Sequence, residues 1–82
     1  MTNEEALIGV LKQYSCLNSF QIKGFAYRMF GVSLQPQSAS GILRKYIRGG
    51  LAEKGPDGNG KMVYWLTDYG KEQLKGRTKN GV

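Results

Sequence analysis

The sequence contains no histidine and a single cysteine, Cys16. With neither a second cysteine nor a histidine, an internal disulfide, a cysteine-cluster or histidine metal site, and a Cys-His or Ser-His catalytic pair are all excluded. No run of about 18 apolar residues occurs, so no membrane span is expected. Residues Met1 to Glu5 are acidic and lack an apolar signal segment, so a cytoplasmic protein is expected. Acids are scarce and scattered, as Glu53, Asp57, Asp68 and Glu72 in the second half. They form no catalytic constellation, so neither an enzyme nor a cofactor is expected.

The chain has 82 residues, enough for one domain with one modest core. Apolar residues make up 40% of it, which favours folding over disorder. The net charge is +6 and is unevenly placed. Residues 1–41 carry three Lys and Arg against two Glu, whereas residues 42–82 carry nine against four acids. A basic half points to an anionic partner.

Thr2 stands three residues before Glu5, the spacing of a capping box, so a first helix begins near Asn3. Leu7, Val10, Leu11 and Tyr14 recur at helical spacing and end it near Tyr14 or Ser15. Cys16 reads as an ordinary buried cysteine. Asn18 or Ser19 caps a second helix, whose apolar side is expected from Phe20, Phe25, Ala26 and Met29; Gly31 stops it. Val32-Ser33-Leu34 reads as a short extended link. Pro36 suits the first turn of a third helix, which runs to Arg48 with Ala39, Ile42, Leu43, Tyr46 and Ile47 inward. Gly49-Gly50 ends it.

Two strand-like segments, Leu51 to Lys54 and Lys61 to Leu66, flank Gly55-Pro56-Asp57-Gly58-Asn59-Gly60 and read as a β-hairpin. Met62, Tyr64 and Leu66 are expected to face the core, with Val63 and Trp65 opposite. Trp65 then packs against Leu51 or a fourth helix, or anchors a partner. Tyr27, Phe30 and Tyr69 read as structural. Thr67 caps that fourth helix, which ends near Lys75. The domain is expected to occupy residues 1–76, with a flexible basic tail at 77–82.

Two short motifs carry a resemblance. The third helix exits through Gly50-Leu51, and the hairpin closes with Leu66-Thr67-Asp68-Tyr69-Gly70. In order and spacing the chain resembles the winged-helix DNA-binding domains of MarR- and PadR-like bacterial regulators. The resemblance covers roughly residues 4–75 and implies an α+β winged helix: a three-helix helix-turn-helix core, a two-stranded hairpin wing and a short C-terminal helix. It leaves no room for the long extra helices with which such regulators dimerise and bind effectors.

The same resemblance implies a nucleoid-associated regulator that places its third helix in the major groove of double-stranded DNA. Gln35, Gln37, Ser38, Ser40, Gly41, Arg44, Lys45 and Arg48 are then the candidate contacts. Gln pairs with adenine, and Arg or Lys with guanine. Gly41 permits close approach of the backbone. Lys54 and Lys61 flank the wing tip and suit phosphates. A homodimer is attractive, since one small domain reads few bases. The rival reading is a winged helix used for protein–protein assembly, marked by an apolar patch at Trp65 and the first helix.

Overall fold

Local chemistry sets the start of every helix. In a computed structural model that describes residues 1–75, the order is α1 (Asn3–Gln13), α2 (Ser19–Phe30), α3 (Pro36–Arg48), β1 (Ala52–Pro56), β2 (Met62–Leu66) and α4 (Asp68–Leu74). The tail expected at 77–82 lies outside the described residues. Thr2 Oγ1 accepts the Glu5 N–H while Glu5 accepts the Thr2 N–H, and Asn18 and Gln21 repeat the exchange at α2. Pro36 opens α3, and Gln35 in front of it makes no side-chain cap. Thr67 caps α4 through the Gly70 N–H.

The strands pair antiparallel, with Lys54 opposite Tyr64 and Gly55 opposite Val63. β2 also gains a partner on its other edge. Leu17 and Tyr64 exchange both backbone hydrogen bonds, at 3.1 and 2.9 Å, which ties the α1–α2 link to the wing. The core collects Leu7, Val10 and Leu11 of α1, Ile22 and Ala26 of α2, and Ala39, Leu43 and Tyr46 of α3, closed by Leu34, Ala52, Leu66 and Leu74. No helix among the described residues is long and apolar enough to cross a membrane.

The motifs Gly50-Leu51 and Thr67 to Gly70 prove to be two halves of one joint. Thr67 Oγ1 donates to the Gly50 carbonyl at 2.8 Å and accepts from the Gly70 N–H at 2.8 Å. The Thr67 N–H donates to the Leu51 carbonyl at 3.0 Å. Gly50 turns the chain with φ of 78°, a conformation that costs side chains dearly. A Cβ on Gly70 would stand 1.9 Å from the Leu51 oxygen, so only glycine fits. The exit of α3, the end of the wing and the start of α4 are thereby locked together. This architecture is a winged helix.

Several side chains depart from expectation. The inward residue near the start of α2 is Ile22; Phe20 is 78% exposed. Tyr27 and Tyr69 also point to solvent, whereas Phe30 packs over Gly9. Tyr14 is exposed but stacks on Phe25, with centroids 4.4 Å apart. Cys16 is exposed, because it takes a left-handed turn (φ 60°) between α1 and the Leu17 bridge. In β2, Met62 lies beyond the core and is exposed, and Val63 is buried. Trp65 is held within the hairpin: its ring lies across Gly55, and its Nε1–H donates to Glu53 at 3.2 Å.

Candidate nucleic-acid interface

The sequence of α3 is Pro-Gln-Ser-Ala-Ser-Gly-Ile-Leu-Arg-Lys-Tyr-Ile-Arg, without an acid. At 100° per residue, Ala39, Leu43 and Tyr46 gather on one side and are buried. Gln37, Gly41, Arg44 and Arg48 fall opposite them and are exposed. Nothing stands within 4 Å of where a Gly41 Cβ would be. The middle of this outer face is therefore bare backbone, with two cations toward its C-terminal end.

The remaining candidates divide between two flanks. Toward the wing, Ser40 and Arg44 of α3 meet Lys54 of β1 around one depression, floored by Leu43, Ile47 and Tyr64. Its position follows from the joint, which folds β1 back beside α3, and from the Lys54–Tyr64 pairing. A neighbouring hollow brings Ser19, Phe20 and Lys23 of α2 beside Pro36 and Ser40. Nothing local in the sequence distinguishes Lys23 from any other cation on a helix; only the α2–α3 packing sets it beside α3.

Toward α1, Gln37, Ser38, Gly41 and Lys45 line an open groove with Thr2, Asn3 and Glu4. Ser38 is half-buried there. The Lys45 ammonium donates to Glu4 Oε1 at 2.9 Å and lies 5.6 Å from the centre of the Tyr46 ring. The Tyr46 hydroxyl donates to Glu4 Oε2 at 2.5 Å. Lys45 thus faces a carboxylate on α1.

Gln35 is exposed at the mouth of α3. Lys61 lies apart from both flanks, one residue before β2 at the wing tip. That tip is ordered by Asp57, whose Oδ1 accepts the N–H groups of Asn59 and Lys61 at 2.8 and 2.9 Å. The one acid of the tip therefore turns an oxygen inward. Among the described residues no three of His, Cys, Asp or Glu stand close enough together to hold a metal.

No protein-family model matches this chain, and no curated protein sequence does. Among solved structures it is similar to F93 from STIV, a winged-helix DNA-binding protein, with a TM-score of 0.74 and 14% sequence identity. The match covers 90% of this chain and 79% of that one. A likeness at this identity shows the fold, and the fold is the winged helix. It does not extend to membership of the MarR- and PadR-like group.

Proposed function

We propose that this chain binds double-stranded DNA as a small transcriptional regulator, with α3 in the major groove and the wing along the phosphates. One observation carries the reading. The exposed face of α3 holds Gln37, Gly41, Arg44 and Arg48 without an acid, and Lys54 of the wing extends its charge beside Arg44. Glutamine and arginine are the side chains that pair bidentately with base edges. Lysines on the wing suit phosphates, which position the protein without reading sequence. The similarly folded F93, described as DNA-binding, adds support from the fold.

A homodimer would let two copies of α3 read half-sites one helical turn apart, and such a protein would work in the cytoplasm on the nucleoid. A family tie to the MarR- and PadR-like regulators rests on the Gly50-Leu51 and Thr67 to Gly70 joint.

The protein–protein assembly reading is favoured by a different surface from the one expected. Phe20 and Tyr27 on α2 are 78% and 64% exposed, seven residues apart on one side of the helix. A mobility-shift titration on random and genomic duplexes at two salt concentrations decides between the two. DNA binding predicts retardation that weakens steeply with salt, since Lys and Arg displace condensed counterions. No retardation at low salt would hand the lead to assembly.

A further inference from the structure

The groove between α1 and α3 sets a carboxylate of α1 against a cation of α3. Glu4 is the one acid lining it, and its two oxygens engage two consecutive residues of α3. Oε1 receives Lys45 and Oε2 receives Tyr46. The two contacts differ in kind. Tyr46 is 5% exposed, so its bond to Glu4 is part of the packing. The Lys45 side chain is 63% exposed, and an ion pair at that exposure is weak and easily exchanged. Lys45 neighbours Arg44 in the sequence and shares the groove with Gln37 and Gly41, on the edge of the face assigned to DNA.

Building on the DNA-binding reading above, we infer that Glu4 is a positioning residue that competes with DNA phosphate for Lys45 and so limits how many cations α3 offers. In the free protein the carboxylate holds the ammonium against α1. A phosphate arriving beside α3 must displace Glu4 from Lys45 before that ammonium can serve it. The exchange lowers non-specific affinity while leaving Arg44, Arg48 and Lys54 to act. The clamp therefore shifts the balance from phosphate attraction toward base contacts on the same helix.

The test compares Glu4→Gln with Glu5→Gln, each measured by fluorescence anisotropy against a random-sequence duplex across a salt series. Both changes remove one negative charge from the same turn of α1. Glu5→Gln keeps its capping box, because glutamine caps as glutamate does. Glu4→Gln keeps an oxygen for the Tyr46 hydroxyl and loses the ion pair. Glu4→Gln is expected to bind more tightly at low salt and to steepen the slope of log affinity against log salt by up to about 0.9, the value of one full phosphate contact. Between about 50 and about 200 mM salt the upper limit amounts to about 3.5-fold more affinity lost than in the parent. Glu5→Gln is expected to leave the slope at its parental value.

Lys45→Gln completes a cycle. It should change the slope less in the parent than in the Glu4→Gln background, where it removes the added steepness. Thermal melts of the same variants report any loss of packing at Tyr46 separately. Equal slopes for the two glutamine variants, or an equal effect of Lys45→Gln in both backgrounds, would overturn the competition while leaving DNA binding intact. A parent that binds no duplex at low salt would remove the DNA-binding reading itself and this inference with it.

Discussion

The two flanks of α3 are built from the same helix and set its cations beside opposite charges. On the wing flank, Ser40, Arg44 and Lys54 surround a depression, and Lys54 adds charge to Arg44. On the α1 flank, Lys45 meets Glu4, and its charge is answered within the protein. A count of cations along the helix treats Arg44 and Lys45 as equals; their neighbours make them different. The wing flank depends on a backbone joint that brings β1 alongside α3, and the α1 flank depends on the acid-rich first turn of α1. The lesson is that adjacent residues on one helix can be assigned to different partners by the elements packed on either side.

The comparison breaks most completely if the joint is broken. Gly70→Ala drives a methyl group into the Leu51 carbonyl, so the wing and α3 must move apart. Overpacking of this kind usually costs about 1–3 kcal/mol, and against rigid backbone we expect the upper end or more. A thermal or urea melt reads the loss, and an unchanged midpoint would show that the joint is not what holds the wing flank.

Next in size is the direct contrast between neighbours. Arg44→Ala should cost specific DNA binding about 1–3 kcal/mol, the worth of a bidentate base contact. Lys45→Ala should cost clearly less, and both should melt close to the parent, as exposed substitutions do. Isotherms on one operator-like duplex check this, and equal losses would erase the distinction between the flanks.

Gly41 sharpens the comparison from the centre. Gly41→Ala should stabilise α3 by up to about 1 kcal/mol, since a mid-helix glycine is costly and space is open. It should nonetheless weaken DNA binding if the backbone there approaches the bases. Gly24→Ala on α2, equally free of neighbours, is the control that should stabilise without touching DNA binding. The smallest effects belong to the wing. Lys54→Ala and Lys61→Ala should each weaken binding evenly across sequences and lower the salt slope by about 1. A changed sequence preference would mean that the wing reads bases.

Much of this arrangement was legible in the sequence because its signals are local. Thr2 with Glu5, Asn18 with Gln21, Pro36 and Thr67 mark helix starts within three residues of themselves, and all four helices begin beside them. The outer face of α3 followed from a clear inner stripe of Ala39, Leu43 and Tyr46. In α2 the stripe was ambiguous. Phe20 and Ile22 are both apolar and lie on different sides, and only packing against α1 and α3 chooses Ile22. The Leu17–Tyr64 bridge and the exposure of Cys16 depend on a left-handed turn at a non-glycine residue, which no pattern announces. The Glu4–Lys45 pair spans 41 residues and is invisible to any local reading.

The central claim, that the outer face of α3 and the wing flank meet DNA, is tested most directly by backbone amide NMR shifts during titration with a short duplex. The account predicts shifts concentrated on residues 35–48 and 54–61, strongest around Gln37, Gly41 and Arg44, with Tyr14, Trp65 and Tyr69 quiet. Shifts centred on Phe20 to Tyr27 or Trp65 with α3 silent, or no shifts at low salt, would contradict it.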